Sequence, residues 1–354
     1  MRLFIPVVSA AMAAVATVQA AAIGLADTPL LAVFGNSLSD IGTLKALTLG
    51  IVPSSPYWKG RFSSGPTWNE YLELLMGYRL YNKAVGGATS DNDHSTTIDI
   101  LGIHLPSTQD QINFFKLGHP LFKKRRTRDE DIAILEIGAN DYFVDTPRLQ
   151  EGSLSIANFT QTLADTVVGQ LEQLRGIGFR NIVVLNMAAI QDTPMAIQAN
   201  QRELADATVT TYNNLLAVKA NAWAKVASDL SLFTVSDIGG FVKIAAGSSA
   251  ISSALGLKNV TGACLDTLDT STQAARMNSA MNATVGSVCT DPSEFFFFDD
   301  IHPTERVHRL YGYYLWKALA ALKKGKSFHL CESNLLSLIK NYNLGTPVSK
   351  PVAI

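Results

Sequence analysis

The segment Phe34-Gly35-Asn36-Ser37-Leu38-Ser39-Asp40 follows the apolar run Leu30–Phe34, which reads as a buried strand. A hydroxyl at the carboxyl end of such a strand stands where open α/β sheets hold their ligands. Serine alone is a poor nucleophile. It needs a base within hydrogen-bond reach and a third group to orient that base. The base candidate lies far away, in Asp299-Asp300-Ile301-His302-Pro303-Thr304. An Asp three residues before a His can fold back and accept from Nδ1–H, leaving Nε2 to take the serine proton. Of the six histidines (94, 104, 119, 302, 308 and 329), only His302 combines that Asp with a following proline. His94 follows Asp91 and Asp93, but in a polar run that no strand feeds. Asp300 is the alternative acid, and the spacing of three favours Asp299.

Acyl transfer also requires donors aimed at a developing oxyanion. Two patterns offer them. Tyr81-Asn82-Lys83-Ala84-Val85-Gly86-Gly87-Ala88-Thr89 closes a strand with paired glycines, whose N–H groups can approach a ligand closely. Gly138-Ala139-Asn140-Asp141 follows the run Ile132–Ile137 and puts a side-chain amide at a strand end. The spacing leaves open whether Gly86 or Gly87 donates.

These residues need a frame. Short apolar runs at Leu30–Phe34, Ile132–Ile137, Asn181–Leu185 and Leu232–Val235 alternate with helical patterns at about 67–76, 156–174, 199–230 and 307–322. Continuous apolar runs, rather than period-two alternation, predict a parallel sheet buried on both faces by helices. Phe295–Phe298, Trp58, Phe62 and Trp68 read as packing residues. Asp40 reads as a helix cap.

The four blocks, in this order, resemble those of the GDSL esterase/lipase family, also called SGNH hydrolases. Gly35-Asn36-Ser37-Leu38 resembles the nucleophile block, and Gly86-Gly87-Ala88-Thr89 the block whose glycine N–H serves the oxyanion hole, matched by Gly87. Gly138-Ala139-Asn140-Asp141 resembles the block whose amide serves the same hole. Asp299 to Thr304 resembles the block with acid and base. The stretch from Pro56 to Pro66 is similar to one in secreted fungal and plant members. The resemblance covers about residues 30–322. It implies an α/β fold, a three-layer α/β/α sandwich with a mostly parallel, flavodoxin-like sheet. It also implies a carboxylic ester hydrolase using Ser37, His302 and Asp299, with the N–H groups of Ser37 and Gly87 and the Asn140 amide as oxyanion hole. No cofactor or metal is implied. The family usually has Asp where this chain has Asn36, which keeps the size but loses the charge. Two rivals use the same frame: acyl transfer to an alcohol other than water, and a decayed scaffold acting as a secreted binding protein. The expected substrate is a small-molecule, lipid or acylated-polysaccharide ester.

The chain has 354 residues, 47% of them hydrophobic and 17% charged, with a net charge of −1. That excludes a disordered chain and leaves no global basic field for nucleic acid. No H-E-x-x-H pattern, C-x-x-C pair, P-loop or dinucleotide fingerprint occurs. The expected organisation is a signal peptide over 1–20, a hydrolase domain over 28–325 and a C-terminal tail over 326–354. Arg2, the apolar run after it and the small residues near Ala20 suit export. So do sequons at Asn158, Asn259 and Asn282. Of three cysteines, Cys264 and Cys289 flank a polar stretch and are the expected pair, leaving Cys331 odd. No later run reaches the length of a membrane span. The basic run Lys123–Arg128 reads as a solvated loop balanced by Asp129, Glu130 and Asp131.

Overall fold

The computed structural model describes residues 28–95, 99–100, 103–117, 129–267 and 285–346. Five parallel strands form the main sheet: β1 (Leu30–Gly35), β2 (Arg79–Asn82), β3 (Ile132–Glu136), β4 (Asn181–Leu185) and β5 (Leu232–Ser236). Their order is β2-β1-β3-β4-β5, the doubly wound arrangement with its switch point between β1 and β3. In-register pairing runs Leu31 to Ile132 through Gly35 to Glu136, so both strands end at one level. The carboxyl ends of β1 and β3 therefore open into one crevice.

Every residue of β1, β3 and β4 is buried, which explains the continuous apolar runs. Successive side chains point to opposite faces. Ala32, Phe34, Ala133, Leu135, Ile182 and Val184 pack against one helical layer: α2 (Thr108–Leu117), α4 (Ile156–Ile177) and α5 (Arg202–Val226). Leu31, Val33, Ile132, Ile134, Val183 and Leu185 face the other: α1 (Trp68–Met76), α6 (Ile238–Gly247), α7 (Glu305–Leu322) and α8 (Glu332–Tyr342). The three-layer sandwich is thus present.

Helix starts are marked chemically. Thr67 and Glu70 form a capping box at α1, and Ser155 caps α4 by accepting from Asn158 N–H. The pattern read as one helix from about 199 begins instead at Arg202, because Asn200 turns through a positive φ of 54° after the short helix Pro194–Gln198. The apolar stretch Leu335–Ile339 lies in α8, which buries Leu335, Leu338 and Ile339 against the sandwich. A minor strand Phe295–Phe297 pairs in parallel with Asn259–Ala263 and leads straight to the histidine block. Among the described residues no single helix is long and apolar enough to cross a membrane. The apolar pair Ile238–Gly247 and Ser249–Leu255 bends by 84° and belongs to the core.

Candidate active site

β1 ends on Gly35, a position where nothing larger fits: a Cβ there would lie 2.7 Å from the Glu136 carbonyl oxygen. Gln111 of α2 brackets the same residue, accepting from Gly35 N–H and donating to its carbonyl, both at 2.9 Å. The chain then turns. Ser39 N–H donates to the Asn36 carbonyl at 3.1 Å, and Leu38 N–H to Asn36 Oδ1 at 3.0 Å. This lifts Ser37 out of the sheet, where its Oγ lies 2.7 Å from His302 Nε2.

His302 is held by a local loop. Phe298 N–H donates to the His302 carbonyl at 2.7 Å, and Thr304 Oγ1 to the Phe295 carbonyl at 2.7 Å. Asp299 folds back as its spacing requires. Its Oδ1 accepts from the N–H groups of Ile301 and His302 at 2.8 and 2.6 Å, and its Oδ2 lies 2.8 Å from His302 Nδ1. Burial opposes the charge of Asp299, but the adjacent imidazole and these donors outweigh it and hold its carboxyl below the usual range. With Nδ1 protonated toward Asp299, Nε2 faces Ser37 as an acceptor. The Asp300 carboxylate faces elsewhere, its Oδ1 lying 3.5 Å from Gln198 Nε2, and the contacts of His302 Nδ1 are to Asp299.

The segment from Pro56 to Pro66 buttresses this loop. Tyr57 Oη donates to Asp299 Oδ2 at 2.6 Å, Ser63 Oγ donates to the Pro303 carbonyl at 2.9 Å, and Glu305 N–H donates to Ser64 Oγ at 3.0 Å. The Phe62 ring packs on the imidazole, with centroids 5.1 Å apart.

The two glycines separate cleanly. Gly86 N–H donates to Asp40 Oδ2 at 2.8 Å, and a Cβ on Gly86 would meet the Phe62 ring at 2.3 Å. Gly87, at φ 83°, lines the crevice, and its N–H meets no acceptor among the described residues; nor does that of Ser37. Asp40 does cap, accepting from Gly42, Thr43 and Leu44 N–H, but it also anchors the glycine turn. Asn140 stands in the first turn of the helix after β3, α3 (Ala139–Gln150). Its Nδ2 donates to the Ala88 carbonyl at 2.7 Å, and its second amide proton is left for the crevice.

Ser37, Gly87, Asn140 and His302 line one pocket of about 70 Å³, whose other walls are mostly apolar. Phe62, Trp68, Phe296 and Phe297, read from sequence as packing, are both buried core and pocket wall. Burial pushes the His308 imidazole down to about 3, so this pocket residue is neutral.

No motif or spacing in the sequence marks Tyr57, Gln111 or Glu136 as part of the site. Tyr57 lay in a stretch singled out only by resemblance. Glu136 ends β3 inside an apolar run, and its position there was the one available signal. Cys264 and Cys289 form a disulfide, and Cys331 is a free thiol. Asn158 is exposed, while Asn259 is partly buried, its Oδ1 accepting from Thr261 and Gly262 N–H. Residues 1–20, expected from the sequence as a signal peptide, lie outside the described residues, as do Lys123–Arg128 and Asn282.

Residues 31–315 match the model of the GDSL-like Lipase/Acylhydrolase family. The secreted effector protein SseJ of Salmonella typhimurium is 28% identical over 55% of this chain and 43% of its own length. A phosphatidylcholine-sterol acyltransferase of Aeromonas hydrophila is 28% identical over 52% of this chain and 51% of its own. An acetylesterase of Hypocrea jecorina is 29% identical over 47% of this chain and 50% of its own. This chain thus spans about half the length of these relatives. Four further matches are GDSL esterase/lipases of Arabidopsis thaliana, so bacteria, a fungus and a plant are all represented and no subgroup is singled out. With a family model covering most of the chain and the four sequence blocks gathered around one crevice, the protein belongs to the GDSL-like lipase/acylhydrolase family.

Proposed function

We propose that this protein is an exported serine esterase that works through an acyl-enzyme on Ser37. The observation that carries the reading is the 2.7 Å contact between Ser37 Oγ and His302 Nε2, with Asp299 on the far side of the ring. Ser37 Oγ attacks the ester carbonyl while its proton passes to His302 Nε2. Asp299 stabilises the imidazolium. The oxyanion accepts from the N–H groups of Ser37 and Gly87 and from the Asn140 amide. Collapse expels the alcohol, which takes the proton from His302. Water then adds to the acyl carbon, giving its proton to the same nitrogen, and the carboxylic acid leaves as Ser37 is restored.

The apolar walls suit an acyl group without charge. An engineered apolar cavity of ~150 Å³ accepts benzene, so a pocket of about 70 Å³ favours a short acyl chain. The likeness to an acetylesterase supports this preference. The Cys264–Cys289 disulfide supports an oxidising destination, as do the N-terminal apolar run and the sequons.

Acyl transfer is the second reading, favoured by the likeness to an acyltransferase. It separates from hydrolysis by product analysis with a competing alcohol. The test of the main reading is hydrolysis of aryl esters of increasing acyl length by the parent and by Ser37→Ala. The parent should turn over short-chain esters fastest, and the variant should lose activity at every length. A variant that keeps activity removes Ser37 from the mechanism. An inactive parent, folded and inert to an organophosphonate, is a decayed scaffold.

A further inference from the structure

Beneath the Ser37 turn sits a second carboxylate that the mechanism above does not use. Glu136, the last residue of β3, is 4% exposed. Its Oε1 accepts from Asn36 Nδ2 at 2.9 Å. Its Oε2 accepts from Ser39 Oγ at 3.0 Å and from Asn36 N–H at 3.4 Å. Three donors from the residues on either side of Ser37 thus converge on one side chain. Among the described residues no lysine or arginine pairs with it. An ionised carboxylate only accepts, and all three neighbours donate, so the site is built for a carboxylate rather than an amide. Asn36 is its counterpart: an Asp there would bring two carboxylates within hydrogen-bond distance, and they could not both ionise.

We infer that Glu136 is a positioning carboxylate of the reaction: with Asn36 it forms one unit that clamps the Ser37 turn to the end of β3 and sets a negative charge beneath His302. This rests on Ser37 as the nucleophile. The titratable groups around Glu136 are few. His302 lies close enough to favour its ionised form. Tyr212 and Tyr311 lie on helices at the two sides of the sheet, and both phenols are raised first by burial, with Asp141 adding to Tyr212, Tyr314 and Asp237 adding to Tyr311, and Glu136 contributing least to each. The Asp40 carboxylate is taken up by backbone N–H groups. Gln111, on the Gly35 backbone, is neutral. Burial opposes ionisation of Glu136 and brings it to about 7, despite the bonds from Ser39 and Asn36. Its charge therefore forms near neutral pH.

The test is a double-mutant cycle read across pH 5 to 9, with Ser37→Ala as blank. Glu136→Gln should lower kcat about tenfold with KM within about twofold, since the turn is displaced only in the reacting geometry. It should also move the acid limb of kcat/KM to lower pH, because the imidazolium loses a neighbouring negative charge. Asn36→Asp should fall by more than about tenfold, and Asn36→Asp with Glu136→Gln should recover to within about threefold of the parent, because one carboxylate again faces one amide. A Glu136→Gln variant with the parent's kcat and pH profile overturns the inference. So does a double variant whose loss is the product of the single losses. If Glu136→Gln alone does not fold, recovery of Asn36→Asp by the second substitution decides the matter. An active Ser37→Ala blank defeats the nucleophile reading itself. An inactive blank with an unmoved Glu136→Gln profile defeats only the role of Glu136.

Discussion

Tyr57 Oη donates to Asp299 Oδ2 at 2.6 Å, across 242 residues of sequence. The hydroxyl completes the shell of a buried carboxylate that already accepts from His302 Nδ1 and two backbone N–H groups. Burial, then the charge of Asp299, raises the Tyr57 phenol well above its ordinary value, so it stays a donor at any working pH. Tyr57→Phe should lower kcat about tenfold with little change in KM, the effect of one lost hydrogen bond to a charged group. Steady-state kinetics check this. An unchanged kcat would mean that the loop holds Asp299 unaided.

Glu136 carries a stability signature with a definite sign. Its folded-state value of about 7 lies above the ordinary 4.5. The native state then binds the proton more tightly than the unfolded chain does, and stability falls as pH rises between those values, by at most about 3 kcal/mol. Asp299 has the opposite sign: its carboxyl is depressed, so its contribution is present above the unfolded value and is lost as pH falls through the folded one. Urea titrations at pH 5 and pH 8 should show Glu136→Gln gaining stability relative to the parent at the higher pH. An equal difference at both pH values would contradict a buried, titrating Glu136.

Asn140 offers a cleaner separation of chemistry from binding. One of its amide protons is committed to the Ala88 carbonyl, which fixes the other toward the crevice. Asn140→Ala should cost about 10²- to 10³-fold in kcat with a nearly constant KM, as loss of an oxyanion donor does elsewhere. A change confined to KM would place the amide in ground-state binding instead.

Gly86 tests the packing behind the site. Its missing Cβ leaves room for the Phe62 ring, which lies between Tyr57 and His302. Gly86→Ala should destabilise the fold by about 1–3 kcal/mol through overpacking and lower activity by shifting the imidazole. Urea midpoints and kcat together check it. A variant with parental stability would show that Phe62 moves aside freely.

How much of this could be read in the sequence depends on range. Asp299 and His302 are three residues apart, and their bond is a local turn, so spacing alone proposed it. Ser37 and Asn140 sit at the ends of β1 and β3, which continuous apolar runs announce. Spacing leaves Gly86 and Gly87 equivalent because the residue that tells them apart, Asp40, bonds to Gly86 N–H from 46 residues away. Asn36 was a bare departure from the family pattern until Glu136, 100 residues on, appeared opposite it. Strand order was equally hidden, since parallel neighbours are joined by long crossovers that leave no pairing signal in the chain. Phe62 and Trp68 were read as core because apolar side chains look alike whether they face a sheet or a pocket.

The most direct measurement is a rapid-quench reaction with a short-chain aryl ester, followed by intact-mass and peptide analysis of the protein. An acyl-enzyme on Ser37 predicts a burst of the aryl alcohol approaching one equivalent, with the acyl mass on the peptide that contains Ser37 and none in Ser37→Ala. Turnover without a burst, or an acyl group on another residue in a catalytically active sample, would contradict it.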